Sequence, residues 1–237
     1  MRTVKPGQKL LRQAMRAMAR GEAAPAVKLL RQSAAFDWPR AHGLLGVCYE
    51  YGLGVRRNAA RAHACYERAA MGDDADAMHA LAISYQTGLG TRVSRRKAAT
   101  WFERAADAGV PEAIHCLGMC YRYGSGVPKN ARRGFQYHRQ AAKAGVAEAQ
   151  FSLGVCYSRG EGTRKNVRQA RLWYGRAAKQ GHDDATYNIG VFYNTGRVGR
   201  KDPAAAARWF QRAANLGHRD AVRALKSLNK RVVLPER

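Results

Sequence analysis

A period of 36 residues, kept without insertion from Ala41 onwards, restricts this chain more than any other feature. Alanine returns at Ala41, Ala77, Ala113, Ala149, Ala185 and Ala221. Numbered from these alanines, position 5 of the repeat is Leu45, Leu81, Leu117, Leu153 and Ile189. Position 9 is always tyrosine (Tyr49, Tyr85, Tyr121, Tyr157, Tyr193), and position 12 is always glycine (Gly52, Gly88, Gly124, Gly160, Gly196). Positions 29 and 30 are Ala-Ala in all five repeats, from Ala69-Ala70 to Ala213-Ala214. Self-similarity at such a spacing marks stacked units, each of which buries its apolar face only against its neighbours.

Each repeat reads as two helices. Positions 1, 5, 8 and 9 are apolar (Ala149, Leu153, Cys156, Tyr157), an i, i+4, i+7, i+8 face. The glycine at position 12 predicts a left-handed cap that ends this first helix. A second glycine at position 14 (Gly54, Gly90, Gly126, Gly162) tightens the connection. Asn58, Ser94, Asn130, Asn166 and Asp202 at position 18 are side chains able to cap the second helix. That helix buries positions 22, 25, 26, 29 and 30, and it ends at Gly109, Gly145, Gly181 and Gly217. Asp73 stands there in the first repeat, where a different turn is expected. Gly46, Gly118, Gly154 and Gly190 lie inside the first helix, where each costs about 1 kcal/mol against alanine. A neighbouring helix pressing there would account for that cost.

The motif L-G-x-x-Y-x-x-G-x-G-V, followed by W-F/Y-x-R-A-A-x-x-G, resembles the Sel-1-like repeat, a relative of the tetratricopeptide repeat. Leu117-Gly118, Tyr121, Gly124, Gly126 and Val127 carry the first half, and Trp173-Tyr174, Arg176-Ala177-Ala178 and Gly181 the second. The fifth repeat departs from it at Val198 and Gly199. The resemblance implies an all-α fold, a right-handed α/α superhelical solenoid of stacked antiparallel helix pairs. Residues 1–40 are then a tetratricopeptide-like capping pair, residues 41–220 the five repeats, and residues 221–237 a closing helix and tail. The basic amino terminus (Arg2, Lys5, Lys9, Arg12, Arg16, Arg20) could mimic an organelle transit segment. Leu11, Met15 and Met18 share one helical face, however, and a capping helix is the preferred reading.

Chemistry leaves little trace. The Gly-x-Gly pairs follow a helix rather than a strand, so they are not a nucleotide fingerprint. Cys116 and Cys120 share a helical face, and His79 and His115 share position 3, but a metal site needs four converging ligands. Cys48, Cys120 and Cys156 all occupy core position 8, where cysteine is an ordinary small apolar residue. His115 and Cys116 are neighbours on a helix and point apart. No catalytic residue, cofactor, metal or small-molecule substrate is therefore expected, and the chain reads as a non-enzymatic scaffold. An odd count of five cysteines and the lack of a secretory-type apolar core suggest a reducing compartment, the cytoplasm or alternatively an organelle matrix. No apolar stretch approaches the roughly 18 residues that span a membrane.

Charge and two surfaces bear on partners. With 42 Lys+Arg against 17 Asp+Glu, the net charge is +25, which favours an anionic partner such as nucleic acid, acidic lipid or an acidic protein. An arginine-rich composition without functional meaning is the equal alternative. In tetratricopeptide-like solenoids the first helices line a groove, and the resemblance places positions 3, 7, 10 and 11 there. These include Glu50, Tyr51, His79, Gln86, His115, Arg122, Tyr123, Phe151, Arg159, Tyr187 and Asn194, a mix suited to protein-binding hot spots. Packing between first helices is the competing explanation, above all for Phe151 and Tyr187. The second surface, positions 16–21, carries Arg56, Arg57, Arg61, Arg92, Arg95, Arg96, Lys97, Lys129, Arg132, Arg133, Arg164, Lys165, Arg168, Arg200 and Lys201, with Asp202 the only acid. Helices pack about 8–10 Å apart, so these loops should form a basic ladder. The leading expectation is an adaptor that holds a protein or peptide, acidic in character, in its groove. The alternative is a nucleic-acid or ribonucleoprotein binder that tracks phosphates with the ladder. Aromatic residues do not alternate with the basic ones in these windows, which argues against base stacking there.

Overall fold

The computed structural model describes residues 5–197 and 199–233, the last five as backbone. Arg2, Val198 and the ends of both caps (1–4, 234–237) lie outside the described residues. Among the described residues, all regular secondary structure is helical. A leading pair, α1 (Pro6–Ala19) and α2 (Ala23–Ala34), precedes the repeats. The repeats supply α3 (Pro39–Tyr51) with α4 (Ala59–Met71), α5 (Ala75–Thr87) with α6 (Arg95–Asp107), and α7 (Pro111–Tyr123) with α8 (Ala131–Lys143). They continue with α9 (Ala147–Arg159) and α10 (Val167–Lys179), then α11 (Asp183–Thr195) and α12 (Pro203–Asn215), before the closing α13 (Arg219–Val233).

Local chemistry sets these boundaries. Asn58, Asn130, Asn166 and Asp202 each accept a hydrogen bond from the backbone N–H three residues on, at 2.8–3.0 Å, and Ser94 does so at 3.4 Å. Gly52, Gly88, Gly124, Gly160 and Gly196 all adopt φ between 68° and 81°, the left-handed cap that a residue without a β-carbon takes at little cost. The N–H of each position-18 residue also donates to the carbonyl of the position-9 tyrosine, as from Asn58 to Tyr49 at 2.8 Å and from Asp202 to Tyr193 at 2.9 Å. The loop inside each of the five repeats is thus closed in the same way.

Two details depart from the expected pattern. Asp73 adopts φ 64°, so the first repeat turns as the others do. Aspartate tolerates this region better than most residues, and Asp37 does the same at φ 53°. The first helices begin two residues ahead of the repeat alanine, so Asp76, Glu112, Glu148 and Asp184 lie inside the first turn. Negative charge there interacts favourably with the helix dipole.

The chain divides into two compact units, residues 1–120 with 124–128, and residues 121–123 with 129–237. Each is a stack of helix pairs in which sequential helices pack on one another. In the first, Leu30, Leu45, Tyr66, Leu81 and Phe102 are buried among small alanines. In the second, Leu153, Tyr174, Ile189, Phe192 and Phe210 play that part. The glycines inside the first helices have a direct cause. A β-carbon at Gly46 or Gly154 would lie 2.5 Å from the ring of Tyr66 or Tyr174, and at Gly190 it would lie 2.6 Å from Phe210. The pressing group is the position-26 ring of the repeat's own second helix.

Gly154→Ala and Gly175→Ala should therefore move stability in opposite directions. At Gly154 overpacking costs about 1–3 kcal/mol and outweighs the helix-propensity gain of about 1 kcal/mol. At Gly175 a β-carbon meets nothing within 4 Å, so the gain of up to about 1 kcal/mol stands alone. Urea unfolding midpoints check both.

Candidate functional site

The face expected to bind a partner separates into packed and free residues. At position 3, Phe151 lies 5.7 Å from Tyr174 and 4.5 Å from His182 between ring centroids. Tyr187 lies 5.3 Å from Phe210 and stacks on His218 at 4.3 Å. His79 lies 5.8 Å from Phe102, with its Nε2 3.9 Å from Cys116 Sγ. His115 is half-buried, as are Glu50 and Asn194. Position 3 thus packs one repeat against the next, the role weighed against ligand contact for Phe151 and Tyr187.

Positions 10 and 11 hold the free surface. In the first unit Tyr51 is 67% exposed and Gln86 is exposed. Glu50 accepts the Tyr66 hydroxyl at 2.6 Å; burial, reinforced by this bond, pushes the Tyr66 phenol well above its ordinary range. In the second unit Tyr123 is 61% exposed, whereas Arg122 beside it is only 8% exposed. Arg122 donates Nε–H to Glu161 at 2.8 Å and a second guanidinium nitrogen at 2.5 Å. Its guanidinium also sits over the Tyr123 ring, 5.2 Å from the centroid. Arg159, exposed, reaches the other Glu161 oxygen at 3.4 Å. Glu161 was not among the sequence candidates. Its signal was an acidic side chain at repeat position 13, where the other repeats have Leu53, Leu89, Ser125 and Arg197.

All fifteen residues of the basic ladder are exposed. Arg61 lies over the Tyr49 ring at 5.7 Å and Lys97 over Tyr85 at 5.0 Å. Arg133 lies over Tyr121 at 5.4 Å and donates to its hydroxyl at 3.3 Å. Basic side chains therefore rest on aromatic rings here, but Tyr85 and Tyr121 are themselves buried beneath them, so these contacts add no open face for base stacking. The rings come from the first helix, twelve positions earlier in the repeat, so the windows could not show them. These contacts steady the cations by cation–π attraction.

The buried thiols suit core packing. Burial raises the pKa of Cys48, Cys65 and Cys120, and pushes Cys156 up to about 11, so these groups stay protonated near neutral pH. His182, Asp183 and Asp184 bring three potential metal donors within 4.8 Å of one another. Structural work already occupies them, since His182 Nδ1 accepts the Ala185 N–H as a helix cap at 3.4 Å and its ring packs on Phe151.

The repeat length, the paired glycines and the closed loops recur in known proteins. The family model of the Sel1 repeat matches residues 39–74, 75–110, 111–146, 147–182 and 183–218. The chain belongs to the Sel1 repeat family. A Sel1 repeat protein from Oxalobacter formigenes superposes with a TM-score of 0.89 at 26% identity, over 96% of this chain and 92% of that one. A protective antigen of uropathogenic Escherichia coli with an SLR fold gives 0.85 at 26% identity over 95% of this chain. The chain spans about half the length of that antigen, 49%. The immunity protein Pa5087 from Pseudomonas aeruginosa shares the fold at a TM-score of 0.54 and 21% identity, over 96% of this chain and 84% of that one. No curated protein matches the chain. Sel1 repeats form helical-repeat scaffolds that mediate protein interaction. Among the described residues no helix is long and apolar enough to cross a membrane.

The half-buried histidines predict a pH response. Desolvation first, opposed by nearby carboxylates, holds His79 below its ordinary 6.5, and desolvation likewise lowers His42 and His63. The folded state then binds fewer protons than the unfolded chain at and below pH 6.5, so stability falls as pH drops through that value. The urea midpoint should be lower at about pH 5.5 than at about pH 7.5. His79→Phe, which installs the type of ring that Phe151 supplies at the same repeat position, should flatten the slope.

Proposed function

We propose that this Sel1 protein is a non-enzymatic adaptor that grips a protein or peptide partner with positions 10 and 11 of its first helices. Tyr51 and Gln86 supply the exposed surface in the first unit, and Tyr123 and Arg159 in the second, with Arg122 beneath Tyr123 and Asn194 half-buried. The observation that carries the reading is the support under Tyr123. An arginine–carboxylate pair at 2.5–2.8 Å, with the arginine only 8% exposed, is costly to desolvate. Here it orients an aromatic ring that remains 61% exposed. Exposed tyrosine beside arginine is the composition of an interaction hot spot, and a rigid ring loses little entropy on binding. With a net charge of +25, an acidic partner is the complementary one. Work inside a reducing compartment such as the cytoplasm fits the protonated buried thiols.

A second reading, nucleic-acid binding along the loop ladder, draws support from the exposure of all fifteen cations. Phosphate contacts by such a row would be strongly salt-dependent.

The groove reading is tested by selecting acidic peptides from a displayed library against the full chain. Tyr51→Ala should weaken binders held by the first unit, and Tyr123→Ala those held by the second, each by about 30-fold or more, the scale of losing a hot spot worth about 2 kcal/mol. Arg122→Met should weaken the latter without unfolding the protein, as read by circular dichroism. Peptides that bind the tyrosine variants as tightly as the native chain would remove the groove from consideration.

A further inference from the structure

One cleft of the second unit is lined by cations and aromatic rings. It opens between α10 and α12, with Arg171, Leu172, Arg176 and Lys179 on one side and Trp209 and Arg212 on the other. Tyr193 of α11 lies behind them, and none of its described lining residues is acidic. Three of the cations lie over aromatic rings. Arg176 sits 4.3 Å from the centroid of Trp173, Arg212 lies 5.6 Å from Trp209, and Arg171 lies 5.9 Å from Tyr193.

Gly175 is the second observation. It lies mid-helix in α10, where glycine is costly, yet a β-carbon there would meet nothing within 4 Å. Packing explains the glycines at 46, 154 and 190 but not this one. The same repeat position holds Glu67, Glu103, Arg139 and Gln211 elsewhere. At Gly175 the chain has removed a side chain, and in two other repeats that side chain is an acid. The result is a cleft free of both bulk and negative charge.

We infer that this cleft binds a segment of single-stranded nucleic acid, with bases against Trp209 and the ring-backed guanidinium groups and phosphates on Arg171, Arg176, Lys179 and Arg212. Aromatic rings and arginine planes accept unstacked bases of any sequence, and a row of cations matches successive phosphates rather than one. An acidic peptide would satisfy the charges but leave the planar surfaces unused. The inference deepens the second reading above and rests on it. Arg171 and Tyr193 also line the adjoining recess with Arg200, so the last rung of the ladder leads into the cleft.

The test titrates labelled single-stranded RNA of about 12 nucleotides with the full chain, by fluorescence anisotropy at about 0.15 M salt. Duplex DNA and poly-glutamate serve as competitors. The single strand should bind, and its affinity should fall with salt by about 0.7 logarithmic units per phosphate held for each decade of salt. Gly175→Glu should weaken it about tenfold or more with no fall in thermal midpoint, because glutamate favours a helix over glycine and the site is open. Gly175→Ala should bind as the native chain does. Native binding by Gly175→Glu overturns the cleft, as does displacement of the RNA by an equal charge of poly-glutamate. If Arg132→Glu with Arg133→Glu and Arg168→Glu abolishes binding while Gly175→Glu does not, the ladder reading stands and the cleft fails. Absence of RNA binding removes both.

Discussion

Everything in this molecule hangs on how closely one interhelical loop approaches the helix before it. A β-carbon at Gly54 would lie 2.5 Å from the backbone of Ala23, and at Gly90 it would lie 2.0 Å from the Ala59 carbonyl. Gly126 stands in the same way against Arg95, and Gly162 against Ala131. In each case the loop of one repeat rests on the first residue of the preceding second helix. No side chain fits, and the positive φ at these positions disfavours one independently. This approach sets the spacing between repeats, and the bond from the capping residue to the tyrosine carbonyl sets the loop's shape. Within each unit, the basic side chains are therefore displayed from a repeating, rigid frame.

Rigidity matters because the charge works against the fold. A net +25 repels itself, and among the described residues no ladder side chain forms an ion pair to offset it. The chain limits the effect by laying cations on aromatic faces, with Arg61, Lys97 and Arg133 on position-9 tyrosines and Arg104, Arg176 and Arg212 on position-25 tryptophans. Each contact is worth about 0.5–1 kcal/mol at an exposed site. Unlike an ion pair, it leaves the positive charge available to an anionic partner.

The two proposed surfaces use the same chemistry in different ways. At Tyr123 a buried cation positions an exposed ring, and the ring is offered to the partner. In the α10–α12 cleft buried or half-buried rings position exposed cations, and the cations are offered with them. A helical-repeat scaffold permits this division because its first and second helices are separate lines of side chains on one frame. Nothing about one surface requires the other, so a protein partner and a nucleic acid could be held by different residues.

The sequence by itself determined the helix pairs, their caps and most of the core, because each depends on residues within one repeat. Position-12 glycine, position-18 cap and the small residues at 29 and 30 act through local backbone geometry and a strict period. Tertiary structure alone decided which groove candidates are free. Phe151 and Tyr187 have the composition of a binding face, but His182 and His218, 31 residues further on, cover them. It also decided the pairing of Arg122 with Glu161 across 39 residues, the tyrosines beside the ladder, and the empty space above Gly175. These outcomes depend on distances between side chains of successive helices. A period read along the chain shows which residues share a face, but the packing rotation between helices determines which of them touch.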